Sequence, residues 1–238
     1  MKKLSVFAQG VLLAALLISP ASALTVPERL VYDVNWSGMK AGAAVLEVTE
    51  QGGDLRLTNT IRSTGLVSAF FKIDDRTESV ITRAGRPKFF RENKKEGSYR
   101  ARREATFDFT KLRADSVDLL KKIEKTDPIT AKTYDNLSSI YFIRSIDLVP
   151  GQSIYFDIYD TKRLWNSEVR VVKRQVITTP LGKFKTVMVT SQLKHKGEIA
   201  KVGNATFWFT EDSRRIPVRI TTKLKVGEIT LTLVGGTP

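Results

Sequence analysis

From Leu30 onward the chain alternates apolar and polar residues with a period of two over most of its length. That is the period of an extended strand, whose successive side chains point to opposite faces, so the chain is constrained to a sheet with one dry and one wet side. In the run from Leu30 to Trp36, the side chains of Leu30, Tyr32, Val34 and Trp36 fall together on one face. In the run from Asp54 to Arg62, Leu55, Leu57 and Ile61 oppose Arg56, Thr58 and Arg62. The spacing predicts further strands over Ala41 to Thr49, Asp75 to Thr82, Lys88 to Lys94, Ser98 to Phe109, Ile154 to Tyr159, Glu168 to Thr178, Lys183 to Leu193, Ala205 to Thr210, Ile216 to Leu224 and Glu228 to Val234. Between them, Gln51-Gly52-Gly53 suits a hairpin, and Thr179-Pro180-Leu181-Gly182 places Pro and Gly where a tight turn needs them.

Two segments interrupt the alternation. Ser63 to Phe71 reads as a short helix or a loop whose Leu66, Val67, Phe70 and Phe71 dip into the core. The stretch from Asp135 to Ile146 opens with cap-type residues and is apolar nearly all round, which predicts a buried helix over residues 136–147, ended by Pro150-Gly151. It divides an N-terminal sheet region, 25–133, from a C-terminal meander, 149–234. With no internal repeat and no low-complexity linker, residues 24–238 read as one β-rich domain. The expected fold is mainly β: a curved antiparallel sheet, an open or half barrel, wrapping one buried helix.

The N-terminus has the layout of a secretory leader: Lys2 and Lys3, an apolar run from Leu4 to Ile18, then Pro20 and Ala21-Ser22-Ala23. Residues 1–23 are therefore expected to be a signal peptide cleaved after Ala23, which places the protein in the periplasm. No later apolar run is long enough to span a bilayer, and the absence of cysteine rules out a lipid-modified Cys anchor. A membrane-spanning barrel fits poorly, because both faces of several strands carry charge where lipid needs an apolar band. The formal charge is +14, and removing the two leader lysines leaves +12. A protein this basic is drawn to polyanions. In the envelope those are anionic lipid, glycolipid or cell-wall polymer rather than nucleic acid, and contact with a membrane surface is expected to be peripheral.

Catalytic and metal chemistry find little footing. His195 is the only histidine and there is no cysteine, so the zinc constellations are missing and no metal or other cofactor is expected. A Ser-His-Asp relay would need His195, which sits among Lys194, Lys196 and Gly197 at a strand end. The acid pairs Asp74-Asp75 and Glu211-Asp212 fall at strand ends, where acids commonly serve turns. No residue is assigned a catalytic role, and a binding protein is preferred to an enzyme.

Charge and aromatics carry the functional reading. From Arg83 to Arg103 the sequence places nine basic residues against Glu92 and Glu96, a local net of +7. The alternation puts Arg100 and Arg102 on one face of their strand and Arg103 with Tyr99, Ala101 and Ala105 on the other. A sheet curved around a helix would also hold aromatic residues in an apolar cavity. The candidate ligand-binding set is Arg100, Arg102 and Arg103 for an anionic head, and Phe70, Phe71, Tyr141, Phe142 and Trp208 for an apolar part.

Four spaced segments resemble one bacterial family, catalogued as domain of unknown function 3108. They are Tyr32 to Gly38 followed by Ala41-Gly42, Ser138 to Arg144, Thr179 to Phe184, and Trp208 to Val218, in that order over nearly the whole chain after the leader. The resemblance implies an exported envelope protein and supplies no catalytic residues. The expected function is binding or carriage of an amphipathic anionic lipid or glycolipid. The alternative is a non-catalytic structural or assembly factor docking on cell wall or partner proteins through a basic face.

Overall fold

The computed structural model describes residues 24–200, 204–224 and 227–237; the segment read as a leader, residues 1–23, lies outside them. Sixteen strands form one large curled sheet. The first half runs through β1 (Glu28–Trp36), β2 (Met39–Gln51), β3 (Asp54–Ser63), β4 (Asp74–Ile81), β5 (Pro87–Glu96), β6 (Tyr99–Asp108), β7 (Arg113–Asp118) and β8 (Ile123–Pro128), each beside its predecessor. The second half comprises β9 (Thr133–Tyr134), β10 (Ser153–Tyr159), β11 (Leu164–Thr179), β12 (Gly182–His195), β13 (Glu198–Ile199), β14 (Ala205–Thr210), β15 (Pro217–Leu224) and β16 (Gly227–Thr237). From β10 to β16 it forms a meander with β13 paired to β12, and β9 adds to β10 in parallel. The halves join where the first strand meets the last: β1 pairs antiparallel with β16, Tyr32 opposite Leu233. The far ends of the sheet meet through side chains. The Tyr159 hydroxyl on β10 lies 3.0 Å from Ser116 Oγ on β7 and 2.7 Å from Asp127 Oδ2 on β8, and Lys125 Nζ donates to the Lys162 carbonyl at 2.9 Å.

Strand faces follow the alternation. Leu30, Tyr32 and Val34 of β1 are buried, as are Leu55 and Leu57 of β3. The Gly52-Gly53 pair, with φ of 56° and 86°, forms the two-residue hairpin turn that needs left-handed backbone at both positions. Strands β7, β8 and β9 have no counterpart in the sequence reading. Five of the six residues of β8 are exposed, so this edge strand has no dry face to create an alternation. The turns on either side of β7 contain neither Gly nor Pro; they are held by Asp108 and Asp118, whose carboxylates accept the backbone N–H groups of Thr110 and Lys111 and of Leu120 and Lys121.

Helix α2 (Ser138–Ser145) is shorter than the 136–147 expected. Asp135 takes residues 136 and 137 into a capping turn, accepting the N–H groups of Leu137 and Ser138 at 2.8 and 2.9 Å, and Ile146 is already extended. Leu137 and Tyr141 pack with Leu30, Tyr32, Leu46 and Leu57 in one core cluster. Ile143 packs with Phe156, Val171, Val189 and Phe209 in another. A second helix, α1 (Gly65–Phe70), joins β3 to β4 and corrects the expectation for that segment: it has no buried residue. Leu66 is 83% and Phe70 88% exposed, Phe71 is also exposed, and Val67 alone of the four is half-buried.

Candidate functional site

Three connections gather at the end of the sheet that carries α1. The start of β2, which follows the β1–β2 turn, is tied to it by the Thr64 N–H donating to the Ala41 carbonyl at 2.9 Å. The β5–β6 turn is tied to it by the Gly97 N–H donating to the Lys72 carbonyl at 2.8 Å. Gly97 is required there: its φ is +54°, and a Cβ would fall 2.7 Å from the Phe71 ring. The Arg100 guanidinium folds back on the same turn, donating to the carbonyls of Gly97 and Tyr99 at 2.7 and 2.8 Å. The resulting rim exposes Leu66, Phe70, Phe71, Met39 and Tyr99 beside Arg100. Large apolar side chains grouped on a surface with cations next to them are the chemistry of an amphipathic contact.

The run of positive charge is rewritten by the strand register. Acids elsewhere in the sheet pair with several of its bases, Arg83 with Glu50, Lys88 with Asp54, Arg91 with Glu104 and Lys95 with Asp74, while Lys94 contacts Glu92 on its own strand. Arg103 is buried between two carboxylates, 2.7 Å from Glu92 and 3.0 Å from Asp118. Burial opposes its charge, but hydrogen bonds to Tyr99 and Glu92 hold the proton more firmly than usual. Arg86 donates to the Ala131 carbonyl and lies over the Phe109 ring. Among the described residues, only Arg100 and Arg102 of the nine have neither a carboxylate partner nor a cation–π contact.

The eight residues chosen from the sequence therefore separate. Phe70, Phe71, Arg100 and Arg102 belong to the rim and the strand that leaves it. Arg103 is held inside. Tyr141 is buried on α2, and Phe142 stacks on Tyr134 at 4.5 Å between ring centroids and meets Phe156 edge-on at 5.2 Å. Trp208 on β14 is half-buried, lying beneath Arg219 and packed against the core cluster that holds Leu30 and Tyr32. Sequence reasoning missed Leu66 and Met39 as exposed members of the rim; an apolar residue in a short linker is legible as core or as surface only once the linker is placed.

The acids are similarly occupied. Asp74 binds Arg62 and Lys95, and the Arg62 bond chiefly holds its carboxyl below the ordinary range. Asp75 sits behind the rim, accepting the Lys95 N–H at 2.8 Å; burial and the neighbouring Glu96 carboxyl push it up to about 6. Glu211 lies 3.6 Å from Arg174, and Asp212 caps its own turn through Thr210 and Arg214. His195 Nδ1 contacts the Leu164 carbonyl at 2.9 Å. Among the described residues no three acids or histidines are grouped to hold a metal ion, and no helix is long and apolar enough to cross a membrane.

Comparison with known proteins agrees with the motifs. The model of a family described as a protein of unknown function (DUF3108) matches residues 31–234. The chain belongs to that family. Among solved structures, this DUF3108 chain is similar to a β-barrel-like protein of domain of unknown function DUF1849 from Brucella abortus. The TM-score is 0.65 at 15% identity, covering 89% of this chain and 97% of that one, a likeness of fold alone. A Bacteroides fragilis protein with a YmcC-like fold aligns over 89% of this chain and 96% of its own at 10% identity, with a TM-score of 0.34. No curated protein matches the sequence.

Proposed function

We propose that this DUF3108 protein is a periplasmic binding protein for an amphipathic anionic lipid or glycolipid, and that the α1 rim is where it takes hold. The observation that carries the reading is the exposure of Leu66 and Phe70 on α1 at the end of the sheet where Arg100, a cation without a carboxylate partner among the described residues, folds back on the β5–β6 turn. Leaving two such side chains in water forgoes roughly 1.5–3 kcal/mol each of burial, so an acyl chain covering them gains what the fold does not use. In this reading α2 fills the interior of the curled sheet, as its contacts with two core clusters support, and the ligand sits at the mouth rather than deep inside. Neutralisation of most of the basic run by cross-strand acids disfavours the alternative of a broad basic docking face.

The test is co-sedimentation with vesicles of phosphatidylglycerol and phosphatidylcholine. Binding to the anionic vesicles, lost in a Leu66→Ser/Phe70→Ser variant and weakened by Arg100→Glu/Arg102→Glu, is the expected result. Undiminished binding of both variants overturns the placement at the rim. No binding by the unaltered protein removes the support for lipid contact at the rim.

A further inference from the structure

The β7–β8 turn, Leu119 to Lys122, stands at the same end of the sheet as the α1 rim. Its Leu119 N–H donates to the Arg102 carbonyl at 2.8 Å, and Arg103 links the two places, bonding the Tyr99 hydroxyl at 3.2 Å and the Asp118 carboxylate at 3.0 Å. Leu119, Leu120 and the neighbouring Ile123 are 37%, 55% and 57% exposed, and none of them belongs to a core cluster. Lys121 and Lys122 are exposed between them, and neither forms an ion pair among the described residues.

The turn does not need these side chains to form. At the other end of β7, the β6–β7 turn is built the same way. Asp108 accepts the N–H groups of Thr110 and Lys111 as Asp118 accepts those of Leu120 and Lys121, and the fourth residue has left-handed backbone in both, with φ of 49° at Leu112 and 56° at Lys122. There, however, Phe109 packs against the cluster of Ala105, Ala114 and Tyr159, and Lys111 pairs with Asp108 at 3.6 Å. One turn faces inward and neutralises its own lysine; the other offers apolar side chains and unpaired charge to whatever lies beyond the end of the sheet.

A protein partner matches this tip poorly, because a stable protein contact takes roughly 800 Å² from each side and a four-residue turn offers a fraction of that. A bilayer surface sets no such requirement. Leucine and isoleucine side chains enter the boundary between headgroups and acyl chains, while lysine stems run alongside them and hold their ammonium groups at the phosphates. Exposed Arg102 on the adjoining strand adds a third cation. Against these stand Asp118, already bound by Arg103, and exposed Glu124, so the tip stays cationic and complements an anionic headgroup layer.

We propose that the β7–β8 turn docks the protein on an anionic bilayer surface, with Leu119, Leu120 and Ile123 at the headgroup boundary and Lys121 and Lys122 on the phosphates. Docking stands on the turn itself, whereas its use, bringing the α1 rim against lipid, rests on the lipid-binding reading of that rim. The chain has no cysteine, so Leu120→Cys carries a single environment-sensitive fluorophore, and Leu181→Cys in the β11–β12 turn at the other end of the sheet serves as the reference. With phosphatidylglycerol vesicles, a blue shift at 120 and none at 181 is the expected result, and phosphatidylcholine vesicles should give neither. Partition of Lys121→Gln/Lys122→Gln is expected to weaken about tenfold or more at an unchanged unfolding midpoint. A label at 120 that stays in water, or that shifts equally with phosphatidylcholine, overturns the docking, and so does undiminished partition of the lysine variant. Monomeric dihexanoylphosphatidylglycerol, which forms no bilayer, reads the rim apart from the turn. The lysine variant is expected to bind it as the unaltered protein does, so absence of that binding counts against the rim while the label at 120 still decides the docking.

Discussion

Glu28 on β1 and Arg144 on α2 form a two-pronged ion pair at 2.6 and 2.8 Å, each side chain only 1% exposed. The pair fixes the helix to the seam between the two halves of the sheet. Arg144 also donates to the Arg214 carbonyl, and its guanidinium lies 4.9 Å from the centre of the Tyr141 ring. Burial alone would favour loss of its proton, but the Glu28 carboxylate prevails and holds it above its usual range. Breaking such a pair strands one charge in the interior. We expect Glu28→Ala to lose about 3–5 kcal/mol of stability, read from urea unfolding, and Glu28→Met/Arg144→Met to lose less than either single substitution.

Neighbouring arginines on β6 should respond in opposite ways. Arg103 lies between Glu92 and Asp118, whereas Arg102 is exposed. Arg103→Ala leaves two carboxylates without their cation and is expected to destabilise by about 3 kcal/mol or more. Arg102→Ala should remain within about 0.5 kcal/mol. Thermal unfolding of the two variants side by side checks the contrast, and equal effects would contradict the burial of Arg103.

Much of this fold is written in the sequence, and the exceptions have physical causes. The alternation in β1 to β3 and the turn at Thr179 to Gly182 could be read because each buries one face or needs particular turn residues. Strand β8 could not, because it buries almost nothing. The basic run from Arg83 to Arg103 misleads because charge summed along a chain ignores the strands beside it: Glu50, Asp54 and Glu104 are remote in the sequence or beyond the run and adjacent in the sheet. Half of the candidate site was legible for the same reason. Arg100 and Arg102 show their exposed face through alternation, while the position of Phe70 and Phe71 depends on a linker with no period to read.

The Tyr159 hydroxyl is one of the links between the sheet's ends. Burial and the Asp127 carboxylate both raise its pKa above the ordinary tyrosine range, so it stays protonated and donates. We expect Tyr159→Phe to cost about 1–3 kcal/mol and to speed amide hydrogen exchange in β7 and β8 more than in β1 and β2. Uniform exchange across all four strands would contradict a seam closed at that residue.

Asp75 gives the protein a pH dependence of known sign. Its carboxyl is raised from 3.8 to about 6 in the folded protein, first by burial and then by Glu96, so the folded state holds the proton more tightly than the unfolded chain. Its contribution to stability is greatest at low pH and is lost as pH rises through about 6. Asp75→Asn keeps an acceptor for the Lys95 N–H and removes the titration. We expect the variant to gain stability over the unaltered protein between pH 4 and pH 7, measured as the difference in denaturant midpoint. A difference independent of pH would show that Asp75 titrates normally.

Mass spectrometry of the protein purified without detergent, run once native and once after organic extraction, tests the central claim most directly. A lipid or glycolipid bound in stoichiometric amount, and lost from Leu66→Ser/Phe70→Ser, is the expected result. A protein recovered folded and empty, with no acyl-bearing molecule in the extract, would contradict the binding function proposed for the rim.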